Sequence, residues 1–593
     1  MSKIQIMSED LSNKIAAGEV VEKIANVVKE LVENSIDASA KHVDVELTDS
    51  GMKEIRVIDD GIGMDAVDAE RAFLRHATSK IKRLEDLFFI NTLGFRGEAL
   101  PSIASVSKVS LQTSDGNDGT LIEIHGGKLI KNERCSLRTG TIISVKDLFY
   151  NTPARFKYLK SEQSELANTT SFMERLALSY PDISFSLSNN EKNVLKTSGS
   201  GNLLKTIHEL FGFEISKNMV EVNASNDDYD IRGYICKPVI LKSTRNYMIT
   251  IVNGRVVKNN DLLRVINEAY HTYKPDIKYP IVVLEINTDP TLIDVNIHPT
   301  KQDIKFSKME SLKELVTKVI KDALYKALLI PNIEVKKDTS TNNDIAIKKV
   351  FQESNYVIPE VPSLFINEDL ISSSSLDNKN EIIQESMDFK EDIKNEELMA
   401  LEMYPCGLVM GTYIIAQNDS NMYLIDQHAA QERVNYERIK KILEEDEVTV
   451  TDMLIPLNIE LSPSDFLKFK ENKNVLEELG FKIDDFGLNT IIIKSHPTWL
   501  LSGYEEVNIR SIIEYIIDLP KNFDKVRFRD HFCATCACKM SVKGNTNITM
   551  EQAENIIKDL VKCDNPYNCP HGRPTIITFT RYEIERMFKR VMN

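Results

Sequence analysis

The stretch Ile55-Arg56-Val57-Ile58-Asp59-Asp60-Gly61-Ile62-Gly63-Met64 decides how the first part of this chain is read. Its first four residues predict a strand. The strand delivers Asp59 to its end, placed to accept a hydrogen bond from an exocyclic amine. Gly61 and Gly63 let backbone come close to a ligand. Upstream, Glu30-Leu31-Val32-Glu33-Asn34-Ser35-Ile36-Asp37-Ala38 has a helical pattern. Glu30, Asn34 and Asp37 fall at i, i+4 and i+7, on one face. A carboxylate beside an amide oxygen suits a general base next to a magnesium ligand, although a solvated helix face shows the same pattern. Downstream, Gly94-Phe95-Arg96-Gly97 precedes the helical run Glu98-Ala99-Leu100-Pro101-Ser102-Ile103. Glycines ahead of a helix N-terminus suit a phosphate-cradling loop. Gly140-Thr141 opens a further strand, Ile142-Ile143-Ser144-Val145. There is no Walker A pattern, so a nucleotide site here is not of the P-loop type.

These segments resemble the four nucleotide motifs of the GHKL ATPases, the superfamily of gyrase-type ATPases, chaperones, histidine kinases and MutL. The strings Asn34 to Ala38, His76-Ala77-Thr78-Ser79-Lys80-Ile81, Gly94 to Leu100 and Asp147 to Arg155 are more specific. They resemble the MutL DNA mismatch repair proteins over about the first 330 residues. The resemblance implies Glu30 as general base for ATP hydrolysis and Asn34 as magnesium ligand. It places Asp59 on adenine with Gly63 and Thr141 beside it. Thr78, Lys80, Gly94, Phe95, Arg96 and Gly97 would form the ATP lid around the phosphates. Lys301, in Asn296-Ile297-His298-Pro299-Thr300-Lys301, matches a lysine that reaches the γ-phosphate from a second subdomain. Ile24 departs from the family, which commonly carries proline there, and it lies outside the nucleotide motifs.

At 593 residues the chain is too long for one core, and three or four domains are expected. The net charge of -16 argues against a generally basic nucleic-acid coat, but a local basic stripe is compatible with it. Arg155, Lys157 and Lys160, with Phe156 and Tyr158, form one such cluster, suited to DNA phosphate or to a solvated helix start. No apolar run reaches the ~20 residues that span a bilayer. Met1 to Ile6 lacks the apolar core of a signal peptide, which predicts a cytoplasmic protein without membrane contact. The implied setting is bacterial, with nucleoid association during action.

Residues 333–397 are rich in Ser, Asn and acidic residues, and residues 331–400 hold about half of the negative excess. Surplus charge with few apolar groups predicts a disordered acidic linker. The expected organisation is a GHKL-type ATPase domain at 1–212 and a second, transducer-like and DNA-contacting α/β subdomain at 213–332. The linker follows at 333–397, then a dimerisation and endonuclease domain at 398–593. The expected fold class is α/β multidomain, with an N-terminal α/β sandwich and a C-terminal α+β domain.

In the last segment, Met422-Tyr423-Leu424-Ile425 reads as a buried strand leading to Asp426-Gln427-His428-Ala429-Ala430-Gln431-Glu432. On the helix that follows, His428 and Glu432 are i and i+4 and share a face. Far downstream stands Cys569-Pro570-His571-Gly572-Arg573-Pro574, whose thiol and imidazole can bite one metal from an extended loop. Imidazole, carboxylate and thiolate are zinc's ligands, and manganese accepts the nitrogen and oxygen subset. Of eight cysteines, six lie from Cys406 onward, which favours metal or redox chemistry over a disulfide framework. Asp426 to Glu437 resembles the endonuclease signature of the nicking MutL proteins. Ala537-Cys538-Lys539 and the Cys569 run resemble the accompanying metal motifs. The resemblance implies Asp426, His428, Glu432, Cys538, Cys569 and His571 as the site. Glu437, five residues beyond Glu432, turns about 140° away and is expected to orient a neighbour. Cys533 and Cys536 are read as core residues, with extra ligands or redox-sensitive thiols as alternatives. Thr451-Asp452-Met453-Leu454-Ile455-Pro456 resembles the sliding-clamp-binding segment of such proteins but lacks the leading glutamine, and it equally fits a strand.

The expectation is therefore a homodimeric DNA mismatch repair ATPase using ATP and magnesium. A regulatory or structural zinc and a loosely held manganese or magnesium would serve a DNA-nicking site. The implied partners are DNA, the mismatch-recognition protein MutS and the sliding clamp. The alternative is a non-cutting matchmaker with a structural zinc. A gyrase-like topoisomerase subunit would need a tyrosine-bearing cleavage partner and an acidic metal domain, and the Cys-Pro-His pattern fits neither.

Overall fold

The computed structural model describes residues 21–81, 83, 92–94, 97–136, 138–274, 278–294, 304–329, 403–444, 449–500, 505–519, 532–534, 536–537, 548–588 and 590. The expected linker, Phe95, Arg96, Lys301 and Cys538 lie outside the described residues.

Strand β1 (His42–Thr48) alternates exposed and buried positions, so Val43, Val45 and Leu47 point into the core. It pairs antiparallel with β2 (Glu54–Asp59). Strands β3 (Lys108–Ser114), β4 (Gly119–His125), β5 (Lys128–Cys135), β6 (Gly140–Lys146), β7 (Ser184–Asn189) and β8 (Lys192–Lys196) complete an eight-stranded sheet of order β5-β4-β3-β6-β2-β1-β7-β8. The β1–β7 pair is parallel. One face is covered by the helices Ile24–Asp37, Ala99–Val106 and Glu162–Ser179, whose apolar residues join the strands in one core. In the first helix Ile24, Val27, Val28, Leu31, Val32 and Ser35 are buried, the stripe of a helix lying on a sheet. The opposite sheet face carries Glu46, Glu54, Arg56, Gln112, Ser144 and Lys146 around a shallow polar hollow. The result is a two-layer α/β sandwich.

A second, five-stranded sheet runs in the order Arg255–Val257, Met248–Val252, Val282–Thr288, Tyr229–Cys236, Met219–Ser225. Met248–Val252 and Val282–Thr288 are parallel, and a parallel pair needs a crossover. The helix Asn260–Ala269 lies in that connection, and the helix Met309–Leu329 closes the unit over the same core.

The C-terminal part has a four-stranded antiparallel sheet of Tyr404–Val409, Tyr413–Gln417, Asn421–Asp426 and Ile576–Thr580. A three-stranded sheet of Val450–Glu460, Thr490–Pro497 and Lys482–Asp485 packs on helices Pro463–Glu478 and Glu505–Ile517. Cys533 and Cys536 are buried in this core, near Trp499 and Phe532, and burial pushes the Cys536 thiol well up. His496 is also buried, its Nδ1 3.0 Å from the Pro497 carbonyl. Helix Pro463–Glu478 lies along Glu162–Ser179 of the first part. There the Ser464 amide and hydroxyl donate to the two oxygens of Glu174, at 2.8 Å each. The Tyr247 hydroxyl donates to Asp465, and Lys278 pairs with Glu514 at 2.5 Å.

Candidate nucleotide and metal sites

The candidate nucleotide site is built where β2 ends beside the first helix. Asp59 sits at the edge of that strand, opposite Thr141 of β6. Its carboxylate accepts from the Ser35 hydroxyl at 2.7 Å and the Gly61 amide at 3.0 Å. Burial raises the Asp59 pKa, against these hydrogen bonds and that of Thr141, which lower it. Gly63 has φ +65, and a Cβ there would stand 1.9 Å from the Ser114 carbonyl oxygen. Only glycine fits this crossing of two backbones. Thr113 fixes the layer below: its hydroxyl accepts from the Met64 amide at 3.0 Å and lies 3.0 Å from that of Thr141.

Glu30, Asn34 and Asp37 line one side of the Ile24–Asp37 helix, all half-buried. Lys80 reaches this side. Its ammonium donates to Asn34 Oδ1 at 3.0 Å and pairs with Asp37 at 2.5 Å. The Thr78 hydroxyl accepts the Lys80 amide at 3.2 Å. Asp37 Oδ1 accepts the Leu93 amide at 2.9 Å, and Oδ2 the Gly94 amide at 3.1 Å. One carboxylate thus gathers two backbone amides and an ammonium, the donor set that also receives a phosphate. Gly97, with φ +63, passes its carbonyl to the His76 amide just before the helix Ala99–Val106. The sequence reading noted Asp37 only as a face-mate of Asn34, and it missed Ser35 and Thr113. The helical spacing of Ser35 gave no warning that it would meet Asp59.

The second cluster forms where the strand Asn421–Asp426 becomes the helix Gln427–Glu444 without a break. Asp426 accepts the Ala429 amide at 3.0 Å, the geometry of a helix N-cap. His428 Nε2 is 3.2 Å from Glu432 Oε1. The pairing Ile425↔Ile576, with the Asp426 amide on the Thr575 carbonyl at 3.0 Å, brings the Cys569 segment alongside. Glu432, Cys569 and His571 then offer ligand atoms within 4.8 Å of one another. His571 Nδ1 is 3.3 Å from Glu432 Oε2. Glu432 and Cys569 are buried and His571 is exposed, so the cluster opens to solvent on one side. Thiol, imidazole and carboxylate are a zinc-type donor set, and His428, paired with Glu432, stands beside these three rather than among them.

The Cys569 segment is a tight turn where an extended loop was expected. The Cys569 amide donates to the Arg573 carbonyl at 2.8 Å, and the Gly572 amide to the Cys569 carbonyl at 2.9 Å. This turn, with Gly572 at φ +82, brings Cys569 and His571 to the same side. Arg433, missed by the sequence reading, clamps it through the Asn568 carbonyl at 2.6 Å. Glu437 stands outside the cluster and accepts the amides of Asp564 at 2.7 Å and Asn565 at 3.2 Å.

A two-layer sandwich with an Asp-x-Gly-x-Gly turn, and a helix carrying Glu30, Asn34 and Asp37 beside it, defines an ATPase of the GHKL class. Residues 22–147 match the family described as histidine kinase-, DNA gyrase B-, and HSP90-like ATPase. Residues 207–325 match the C-terminal domain of DNA mismatch repair proteins, and 406–548 the MutL C-terminal dimerisation domain. The DNA mismatch repair protein MutL of Listeria monocytogenes is 43% identical over 596 residues, covering 99% of each chain. That of Shouchella clausii is 39% identical over 655 residues and covers all of both. Among solved structures, the Aquifex aeolicus MutL ATPase domain complexed with ADP is 26% identical, covering 50% of this chain and 98% of that one, with a TM-score of 0.37. The chain belongs to the MutL DNA mismatch repair family. Among the described residues no helix is long and apolar enough to cross a membrane.

Proposed function

We propose that this mismatch repair ATPase is also a metal-dependent DNA-nicking enzyme, acting as a homodimer gated by ATP. The observation that carries the reading is the convergence of Glu432, Cys569 and His571 from elements 137 or more residues apart, with His428 and Asp426 on the same helix end. A scaffold has no need of a carboxylate and an exposed imidazole at an open site.

At the nucleotide site, Glu30 is the base toward the attacking water and Asn34 would hold magnesium. Asp59 accepts from the exocyclic amine of adenine, with Gly63 and Thr141 beside it. Thr78, Lys80, Gly94 and Gly97 would contact the phosphates, and the same role is proposed for Phe95, Arg96 and Lys301, which lie outside the described residues. At the second site, His428, Glu432, Cys569 and His571, with Cys538, would hold zinc, and Asp426 would hold manganese or magnesium. Metals there would polarise the phosphodiester and supply a nucleophilic water at neutral pH. The chain's own part is placement. Arg433 and Glu437 hold segment 564–568, which sets Cys569 and His571 against the helix. MutS and the sliding clamp are the proposed partners, and the bacterial cytoplasm the proposed setting.

Asp426→Asn is the test. Asparagine caps a helix about as well as aspartate, so stability should change by less than about 0.5 kcal/mol. Nicking of supercoiled plasmid in manganese should be abolished while ATPase activity stays at the wild-type level. Nicking that survives in the variant refutes the assignment. The burial of Glu432 and Cys569 also suits a second reading, a non-cutting matchmaker with a structural zinc. Under it, wild type and variant alike leave the plasmid intact.

A further inference from the structure

Among the described residues, Arg255 of the second sheet reaches the segment beside the candidate nucleotide site. Strands Met248–Val252 and Arg255–Val257 are joined by a two-residue turn, Asn253-Gly254, with Val252 opposite Arg255. Both turn residues have positive φ, +46 and +77, as the hairpin twist demands. The turn is rigidly held. The Asn253 side chain donates to the Thr288 carbonyl and accepts the Thr288 amide, both at 2.9 Å. The Asn253 amide donates to the Ile286 carbonyl at 3.1 Å. A Cβ on Gly254 would come within 2.8 Å of the Tyr180 hydroxyl, so the turn also abuts the first part of the chain.

From this base the Arg255 guanidinium crosses to the segment Thr92–Gly94. It donates to the Thr92 carbonyl and, at 3.4 Å, to the Leu93 carbonyl. The opposite side of the same segment is the one whose Leu93 and Gly94 amides Asp37 holds. Two peptide units, Thr92–Leu93 and Leu93–Gly94, are thus gripped from both sides, carbonyls by Arg255 and amides by Asp37. Burial lowers the Arg255 pKa, against the Glu33 and Asp37 carboxylates, which raise it. Tyr180 is pushed up to about 12, by burial first and by Asp37 next.

We infer that Arg255 is a positioning residue that latches Thr92–Gly94 to the second sheet, so that nucleotide occupancy is transmitted to that sheet. The physical basis is competition for donors. The Lys80 ammonium and the two amides now serve the Asp37 carboxylate. A triphosphate arriving at the site draws on the same donors. Whatever shifts the Leu93 and Gly94 amides also shifts the Thr92 and Leu93 carbonyls, which belong to the same two peptide units. Arg255 carries that movement into a hairpin too tightly bonded to absorb it.

The inference rests on the nucleotide reading of this site, and the experiment separates the two. Full-length wild type, Arg255→Gln and Arg255→Lys are compared for binding of a fluorescent non-hydrolysable ATP analogue and for ATPase kcat and KM. Amide hydrogen exchange of residues 248–257 is followed with and without the analogue. Wild type should bind the analogue and change its exchange at 248–257. Arg255→Gln should bind within a few-fold of wild type, lose the exchange response, and drop kcat by about tenfold or more with little change in KM. Arg255→Lys, which keeps a donor for one carbonyl, should recover part of both. An exchange response in Arg255→Gln equal to wild type overturns the latch. So does an equal loss of nucleotide binding in both variants, which would mean a direct or merely structural role. Failure of wild type to bind the analogue refutes the nucleotide reading itself.

Discussion

Glu437 shows how one carboxylate can serve a site without entering it. It accepts two amides of the segment that leads to Cys569, and Arg433 lies 3.5 Å away. The neighbouring Cys563 thiol is pushed up to about 12, by burial first and then by the Glu437 charge and hydrogen bond. Thiolate is the reactive form, so Cys563 should alkylate slowly at pH 8 while exposed Cys406 reacts readily. Glu437→Gln removes the charge and should speed Cys563 alkylation by about tenfold per unit of pKa recovered. Mass spectrometry of iodoacetamide-treated protein reads this directly, and an unchanged Cys563 rate would show that Glu437 does not govern the thiol. The helical offset from Glu432 was enough to place Glu437 outside the metal cluster. Arg433 and Arg255 were not legible in the same way. Both act on backbone carbonyls of residues 135 or more positions away, and a carbonyl leaves no mark in a sequence.

At the level of an element, Thr451 to Pro456 lies in the strand Val450–Glu460, which was one of the two expectations for it. Its pairing with Thr490–Pro497 is interrupted between Asp452 and Leu457. A strand with a bulge pushes residues outward. Leu454 is 103% exposed and Ile455 83%, although both lie within a strand. These two adjacent exposed aliphatics are the side chains that the proposed sliding-clamp contact would use. Under the proposed clamp contact, Leu454→Ala with Ile455→Ala should abolish sliding-clamp binding in surface plasmon resonance, and the melting temperature should hold within about 2 °C because neither side chain is packed. Clamp binding unchanged in the double variant would leave the segment a plain strand. Much of the remaining secondary structure was legible wherever one face is buried. The strands expected at Ile55 to Ile58 and Met422 to Ile425 lie within Glu54–Asp59 and Asn421–Asp426. Strand β5 was not, because it is an edge strand with most positions exposed and no alternation to read. The C-terminal sheet depends on Ile576–Thr580 pairing across about 150 residues, a register that no local pattern encodes.

In the whole molecule, the contact between the Glu162–Ser179 and Pro463–Glu478 helices carries its own pH dependence. Glu174 is fully enclosed there, and burial, aided by Asp465, pushes its pKa from 4.5 up to about 7 despite the Ser464 hydrogen bonds and Arg175. Across the same contact burial lifts Asp518 to about 6, with Asp465 and Glu514 raising it and Lys468 and Lys278 opposing. Tyr247 stays protonated and donates to Asp465. Apart, the Glu174 carboxyl would be solvated and return toward 4.5. A group whose pKa is higher in the associated state favours association while protonated. Its contribution is full below pH 4.5 and is lost as pH rises through about 7. From this group alone the association constant of the two halves should fall about tenfold between pH 6 and pH 8, or roughly 1.4 kcal/mol. Glu174→Gln keeps one acceptor for the Ser464 amide and one donor for its hydroxyl, so the contact should persist at pH 8 and its pH slope should flatten. Asp518 leaves a smaller residual slope of the same sign. Energy transfer between one dye on each half of the full-length chain, titrated from pH 5.5 to 8.5, measures this. Wild type should lose transfer as pH rises, while the variant holds it. Equal slopes in the two proteins would remove Glu174 from the contact, and transfer that rises with pH in wild type would reverse the sign on which the argument stands.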